Sequence, residues 1–290
     1  MGYGSWSSTA YTSYSCSRGR NTTTALDGTV TLTANYTAQD IFKSHKLDEA
    51  LNPYKVVRQC CDSDEHPNTI PVILALDVTG SMGAAAAEVA KKLNEVMTKL
   101  YKQIKDVEFC VMGIGDLAYD SAPIQASQFE SDIRIAEQLD KVYFEAGGGG
   151  NGFESYTAAW YFGLRHTDLD CWKRGKKGII ITMGDEPLNP YLPKGSLGPY
   201  IGDTLEADIE TKKLYKEVIK KFDVYHLAVK DGETSFDYYK DDIMESFKKY
   251  LDDEHFKVVS LDNIAGTIVD IISGVKNDAP TVLTENGIAW

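Results

Sequence analysis

Residues 69–82, TIPVILALDVTGSM, contain the stretch that decides the fold. It opens as a continuous apolar run of strand length, which is typical of a strand that is covered on both faces. The run ends at Asp77, and the hydroxyl side chains of Thr79 and Ser81 follow at spacings of two and four residues. This order predicts a buried strand whose end carries a cluster of oxygen-bearing side chains.

Strand-like and helix-like segments alternate along the chain from residue 69 onward. This alternation favours a doubly wound α/β fold, with a mostly parallel central sheet and helices on both faces. Residues 117–130 are expected to add a short antiparallel edge. The predicted strands cover residues 69–77, 107–116, 178–186, 223–229 and 256–261, and the predicted helices cover 84–104, 131–142, 154–166, 203–222, 237–251 and 262–275.

Oxygen-bearing side chains follow the predicted strands in three separate segments. Because ligands of open α/β sheets bind outside the carboxyl ends of the strands, we expect these side chains to meet at one edge. Carboxylates and hydroxyls suit hard cations such as Mg²⁺, and also Mn²⁺ or Ca²⁺, and no His or Cys stands among them. The candidate metal ligands are Asp77, Thr79, Ser81, Asn151, Glu154 and Asp185.

The motif DVTGS at residues 77–81 resembles the DxSxS signature, often DxTxS, of von Willebrand factor type A domains. The resemblance covers residues 69 to about 276 and includes the order of the elements. It implies a metal-ion-dependent adhesion site that is built from the motif and from Asp185. The middle loop departs from the Gly-Gly-Thr that is common in the family. Its sequence NGFE is similar to the glutamate-containing loop of integrin β subunits, which favours Glu154 as the third-loop ligand, with Asn151 as the runner-up.

The resemblance favours a non-catalytic adaptor or scaffold that binds proteins with the help of a divalent cation. A partner would supply an Asp or Glu carboxylate as the last metal ligand, and a MoxR-type AAA+ ATPase is one expected partner. The alternative is a metal-dependent hydrolase or phosphotransferase that uses Asp77, although Thr79 stands where that class usually has a second acid. A third interpretation is a structural subunit that assembles through its N-terminal extension.

Simpler roles compete for the same residues. Asp and Ser near glycine often cap helices, so Asp77 and Ser81 also fit an ordinary turn. Glu154 would suit the positive end of the helix that is predicted to begin there. The run GGGGNG at residues 147–152 lacks the Gly-Lys-Ser/Thr ending of a phosphate-binding loop, which argues against nucleotide binding.

The chain is expected to have three regions. Residues 1–67 contain few large apolar groups, and we interpret them as a partly disordered N-terminal extension packed on the main domain. Residues 68–277 form the von Willebrand A-like domain, and residues 278–290 form a tail. Within the extension, residues 28–37 alternate like a half-exposed strand, and residues 37–51 favour a short helix.

The net negative charge of the chain argues against some classes of binding partner. Its 290 residues include 30 Lys and Arg against 43 Asp and Glu, a formal net charge of −13. Nucleic-acid binding depends on basic side chains that neutralise phosphates, so no nucleic-acid partner is expected. No apolar stretch has the length of a membrane span, and the N-terminus lacks the apolar middle of a secretory signal. Five cysteines without framework spacing fit a reducing compartment, so we expect a cytoplasmic protein.

Overall fold

The computed structural model describes residues 4–145, 152–231 and 234–277. The strands within these ranges are β1 (Thr22–Thr24), β2 (Val30–Leu32), β3 (Arg58–Cys60), β4 (Ile70–Asp77), β5 (Val107–Ile114), β6 (Ile124–Ala126), β7 (Thr167–Leu169), β8 (Gly178–Gly184), β9 (Tyr191–Leu192), β10 (Ile209–Glu210), β11 (Phe222–Val229) and β12 (Phe256–Val259). The α-helices are α1 (Ser8–Ser17), α2 (Ala38–Ile41), α3 (Gly83–Gln103), α4 (Arg134–Leu139), α5 (Thr157–Arg165), α6 (Gly198–Ile201), α7 (Thr211–Val218), α8 (Phe236–Lys248) and α9 (Ile264–Asn277). Short 3-10 helices cover Glu49–Leu51, Gly80–Met82, Asp170–Arg174 and Leu261–Asn263.

Six strands form the central sheet, in the order β12-β11-β8-β4-β5-β6. The strands from β12 to β5 run parallel, and β6 pairs antiparallel with β5 at the edge. The chain enters at β4 in the middle, builds outward through β5 and β6, and then builds the other side through β8, β11 and β12. This is the doubly wound arrangement. The predicted α/β fold and the short antiparallel edge within residues 117–130 are confirmed.

Strand β4 is buried on both faces, as its continuous apolar sequence predicts. Val72 and Leu74 belong to one hydrophobic core with side chains of α3 and α9. Ile73 faces the other way and joins a second core with α5, α7 and α8, because successive side chains of a strand alternate in direction. Helix α5 approaches this face closely at Gly163, where a Cβ would lie 3.0 Å from Cδ1 of Ile180 and 3.1 Å from Cδ1 of Ile73. The two cores fix the position of the strand ends that carry the candidate site.

Helix α3 follows β4 directly and occupies nearly the predicted span of residues 84–104. Its buried side chains recur every three or four residues, and Val89, Leu93, Met97 and Leu100 face the sheet. Alanines in its first two turns favour the helix, since Ala has the highest intrinsic helix propensity. The helix ends where Ile104 takes an extended conformation. Because α3 begins immediately after the turn that holds Thr79 and Ser81, it anchors that turn against the sheet.

The described part of the N-terminal extension packs on α3 and α4, although its composition predicts partial disorder. Helix α1 lies on α3, where the buried Tyr11 donates a hydrogen bond to the carbonyl of Ala90 at 3.2 Å. The buried Arg20 guanidinium forms an ion pair with Asp140 at the end of α4, with a distance of 2.7 Å from Nη1 to Oδ1. Aromatic side chains such as Trp6 supply the contact surface that aliphatic residues provide elsewhere. A count of aliphatic residues therefore misses this helix.

The remainder of the extension only partly follows its predicted elements. Strand β2 lies within the predicted strand of residues 28–37 and pairs with β1 as a hairpin. The helix expected over residues 37–51 is interrupted, because the chain turns to an extended conformation at Phe42, whose ring packs 4.5 Å from that of Phe144. Strand β3 pairs in parallel with β7 and ties the extension to the main domain. The division at residue 68 stays a prediction, and the expected tail of residues 278–290 lies outside the described residues.

Among the helices of the described residues, none combines the length and the apolar character needed to cross a membrane.

Candidate functional site

The ends of β4 and β8 hold the two predicted aspartates. Asp77 is the last residue of β4, and Asp185 comes directly after β8. Because the two strands are parallel neighbours, their carboxyl ends meet at one edge of the sheet. Thr79 and Ser81 follow in the turn that leads through the 3-10 helix Gly80–Met82 into α3. The motif residues and the later aspartate therefore lie at the same edge.

Asp77 is fully buried, and its carboxylate accepts three hydrogen bonds. Its Oδ1 accepts from the backbone N–H of Thr79 at 2.9 Å and from the Thr79 hydroxyl at 2.6 Å. Its Oδ2 accepts from the Tyr156 hydroxyl at 2.8 Å. Burial, followed by repulsion from Asp185, raises the pKa of Asp77 well above its usual range, and the hydrogen bonds oppose this shift. A cation beside these two carboxylates would offset both the burial of the Asp77 charge and its repulsion from Asp185.

Asp185 keeps one carboxylate oxygen without a partner. The backbone N–H of Ser235, in the loop before α8, donates to Oδ2 at 2.5 Å. Oδ1 is buried and accepts no hydrogen bond from the described residues. Burial raises the pKa of Asp185, whereas the Ser235 N–H and the nearby Ser81 hydroxyl lower it. Thr79 donates its hydroxyl proton to Asp77, so its oxygen retains lone pairs that could face a cation.

Glu154 is also buried at this edge, just before α5. The helix begins at Thr157 with Tyr156 as its N-cap, so Glu154 precedes the first turn, where the helix dipole acts. Its Oε2 is buried and has no hydrogen-bond partner within the described part of the chain. Burial raises the pKa of Glu154 strongly, and the negative charge of Asp77 raises it further. Glu154 is therefore close enough to Asp77 to act with it electrostatically.

Further acids surround the predicted ones and were not anticipated from the sequence. Asp116 and Asp120 lie in the loop after β5, and Glu186 follows Asp185. Burial and neighbouring carboxylates raise the pKa of Glu186 to about 7, and burial raises that of Asp120 to about 6. Oδ2 of Asp116 is buried and has no partner in the described ranges. The sequence GDLAYD did not identify Asp116 and Asp120 as candidate site residues. An acid in a loop has the same local sequence whether it faces solvent or the site, and only the position of the folded loop separates the two cases.

The donor set fits a hard cation, within limits that the geometry sets. Asn151, the runner-up in the middle loop, lies outside the described residues. Among the residues that are described, no group of three or more His, Cys, Asp or Glu side chains is arranged to hold a metal ion. A cation at this edge would therefore depend on the hydroxyl oxygens of Thr79 and Ser81 together with aspartate carboxylates. The buried carboxylate oxygens of Asp185 and Glu154 that lack a hydrogen-bond partner are of the type that a hard cation prefers. That Glu154 is a direct ligand stays a prediction.

Comparisons with known proteins give structural likeness only. No protein-family model matches the chain, and no curated protein matches it. The pilus adhesin SpaC from Lactobacillus rhamnosus GG, in its open conformation, is similar in structure, with a TM-score of 0.51 and 12% sequence identity. That match covers 77% of this chain and 31% of SpaC, so the chain spans about a third of the adhesin. The vWF domain of the type V pili tip protein Mfa5 from Porphyromonas gingivalis gives a TM-score of 0.43 and 11% identity over 72% of this chain and 95% of that domain.

At this level of identity the SpaC match shows the fold alone. The chain has a doubly wound α/β fold that is similar to that of the matched part of SpaC, with its buried acids at the carboxyl edge of the sheet.

Proposed function

We propose that the chain is a divalent-cation-dependent protein-binding module. A cation such as Mg²⁺ or Mn²⁺ would bind at the carboxyl ends of β4 and β8, and a partner protein would add an Asp or Glu carboxylate to it. One observation carries the proposal: Oδ1 of Asp185 and Oε2 of Glu154 are buried acceptors without a partner among the described residues. Burying an unpaired carboxylate is costly, and a cation would give these oxygens the missing partner.

The residues at this edge divide naturally into ligands and supports. Asp185, Ser81 and Thr79 would face the cation, because each keeps an oxygen lone pair that no described group fills. Asp77 would contribute negative charge and hold Thr79 in place through its two hydrogen bonds. The bound cation would supply positive charge at an acidic edge, which is the chemistry that attracts a carboxylate from a partner.

Exposed aromatic side chains around the edge support protein binding. They stand in four different segments, which are the loop after β5, the segment before α5, strand β9 and helix α8, and aromatic residues are enriched in protein interfaces. The four are Tyr119, Phe153, Tyr191 and Tyr238.

The alternative enzyme function receives less support from the same geometry. A nucleophilic Asp77 would need an oxygen that can reach a substrate. Its side chain is fully buried, and both oxygens already accept hydrogen bonds from Thr79 and Tyr156. Asp77 is therefore better suited to holding the site together than to attacking a phosphate ester.

Isothermal titration with Mg²⁺ and Mn²⁺ tests the proposal, with Asp185→Asn as the variant and Glu108→Gln as the matched control. Both acids are buried and carry unpartnered oxygens, but Glu108 lies at the amino end of β5. We expect the wild type and Glu108→Gln to bind one cation with equal affinity. Asp185→Asn should bind at least about tenfold more weakly, because it loses a charged ligand. Equal affinity in all three proteins would refute the metal site.

A pull-down from the native extract tests the partner half of the proposal with the same three proteins. A specific partner, for which a MoxR-type AAA+ ATPase remains one proposal, should be retained by the wild type and by Glu108→Gln in Mg²⁺. It should be lost with EDTA and with Asp185→Asn. If the partner is retained equally with EDTA and by Asp185→Asn, that result would contradict a contact bridged by a cation.

A further inference from the structure

Helix α7 presents an exposed face of lysines in a chain whose formal net charge is −13. Its buried positions are Thr211, Leu214 and Val218, which recur at the spacing of one helix face. Lysines occupy the opposite side of the helix, and further lysines stand in the turns just before β8 and β11. We call six of these exposed residues the lysine stripe: Lys176, Lys212, Lys213, Lys216, Lys220 and Lys221.

The turn after α7 and the turn before β8 are joined by hydrogen bonds. Strands β8 and β11 are parallel neighbours, and their first residues, Gly178 and Phe222, pair with each other. The carbonyl of Lys221 accepts from the backbone N–H of Gly178 at 2.9 Å and from Nε1 of Trp172 at 3.0 Å. Nζ of Lys221 lies 4.7 Å from the centroid of the Trp172 ring. The lysine stripe is therefore one continuous surface that runs along α7 to the amino ends of β8 and β11.

The acidic side chains beside the lysine stripe are already paired with other basic residues. Glu217 of α7 forms an ion pair with Arg165 of α5, with a distance of 2.5 Å from Oε2 to Nη2. Asp223 of β11 forms an ion pair with Lys177 at 2.9 Å. None of the six stripe lysines forms an ion pair with a residue in the part of the chain that the structure describes. Their charge is therefore available to a partner.

The spacing of the lysines in α7 differs from that in α3. In α3, Lys99 follows Glu95 by four residues and pairs with it at 2.6 Å. In α7, the residue four positions before Lys216 is Lys212. Like charges at this spacing destabilise a helix by about as much as a Glu–Lys pair stabilises it. The lysine stripe therefore lowers the stability of the free protein, and an anionic partner would offset the repulsion.

We propose that the lysine stripe binds an acidic segment of a partner protein, rich in Asp and Glu, without the help of a cation. Complementary charge favours such a segment. Lysine ammonium groups on flexible side chains suit carboxylates without a fixed spacing, whereas Arg is preferred where phosphate is recognised through paired hydrogen bonds. The eight residues of α7 span about 12 Å, the length of a short peptide segment. A nucleic acid or a membrane extends farther and would meet the acidic remainder of the surface.

Fluorescence anisotropy tests the proposal with a labelled peptide that repeats Glu-Gly-Asp-Ser three times, at low salt and in EDTA. The variant is Lys216→Gln with Lys220→Gln. The matched control is Lys99→Gln with Lys249→Gln, which removes the same charge from lysines that pair with glutamates of their own helices. We expect the control to bind within about twofold of the wild type and the stripe variant to bind at least about fivefold more weakly, since each exposed pair contributes modestly.

Thermal unfolding separates a binding role of these lysines from a structural one. Gln has nearly the same helix propensity as Lys, and the variant no longer has the repulsion between Lys212 and Lys216. The stripe variant should therefore unfold at the temperature of the wild type or at a higher one. A lower unfolding temperature, or a failure to fold, would assign the lysines to the fold and overturn the inference.

Other binding results would also overturn the proposal. Equal affinity in all three proteins, or no binding of the peptide by the wild type, would show that the stripe is not an acidic-segment site. Tighter binding of a DNA duplex, or of vesicles with equal parts of phosphatidylserine and phosphatidylcholine, that the stripe variant loses would assign it to phosphate groups. Self-association of the wild type that the variant loses would assign it to a second copy. Because EDTA removes divalent cations, these results do not depend on the proposed cation site.

Discussion

At the scale of single residues, buried carboxylates govern the chemistry at both ends of the central sheet. At the carboxyl edge, Asp77, Glu154 and Asp185 repel one another or lack partners, and we assign their charge to a cation site. At the amino end of β5, Glu108 is 1% exposed, and neither of its oxygens has a hydrogen-bond partner among the described residues. Burial raises the pKa of Glu108 to about 7, and the nearby Cys60 thiol and His66 oppose the rise only in part. No ligand is proposed there, so the cost of burial should appear in stability.

We predict that Glu108 makes folding less favourable as the pH rises. The pKa of Glu108 is raised from 4.5 in the unfolded chain to about 7 in the folded protein, so the folded state binds the proton more tightly. Its contribution is therefore intact below pH 4.5, declines between pH 4.5 and 7, and stays low above pH 7. The full loss for this one group is roughly 3–4 kcal/mol, of which roughly 2–3 kcal/mol falls between pH 5 and pH 8.

Urea denaturation of the wild type and of Glu108→Gln at pH 5 and pH 8 measures this effect. The free energy of unfolding should fall less between the two pH values in the variant, by roughly the 2–3 kcal/mol assigned to the carboxyl group. A glutamine at this position has its own cost, but that cost does not change with pH. Parallel pH dependences in the two proteins would show that Glu108 does not titrate in this range.

At the scale of elements, periodicity identified the strands and helices that have strong patterns and missed those held by distant contacts. The apolar run of β4 and the spacing in α3 determine their structure locally, so both were predicted. Helix α1 depends on α3: Asn94, fully buried in α3, accepts a hydrogen bond from Nε1 of Trp6 at 2.8 Å and donates one to the carbonyl of Val30 at 2.8 Å. No sequence pattern near residues 8–17 contains that information.

Asn94→Ala should release the N-terminal extension from α3. The substitution leaves the Trp6 N–H and the Val30 carbonyl without their partner, which costs about 2 kcal/mol of unfolding free energy. Hydrogen exchange should accelerate in residues 4–32 while the central strands keep their protection. Lys99→Ala, on the exposed side of the same helix, removes only the surface pair with Glu95 and should change stability by less than about 0.5 kcal/mol. Equal exchange in the extension of both variants would mean that Asn94 does not hold it.

At the scale of the whole molecule, the sequence predicted that Asp77 and Asp185 meet at one edge of the sheet, but not which other residues lie there. The order of strands follows from alternation and handedness, and the ends of β4 and β8 then bring Asp77 and Asp185 to one edge. Tyr156, Ser235 and Asp116 reach the same edge from other segments, and their roles depend on packing that no local motif encodes. The likeness to SpaC shows the fold alone, so the proposed cation and the proposed partner are argued from the buried acids of this chain.

The central claim is that one hard cation binds where β4 and β8 end, and anomalous diffraction from crystals grown with Mn²⁺ tests it most directly. We predict a single strong anomalous peak beside the Asp185 carboxylate and the Ser81 hydroxyl, at about 2.0–2.6 Å from their oxygens. Crystals of Asp185→Asn grown in the same way should lack it. A wild-type map without a peak at this edge, or with manganese bound only at surface acids elsewhere, would contradict the account.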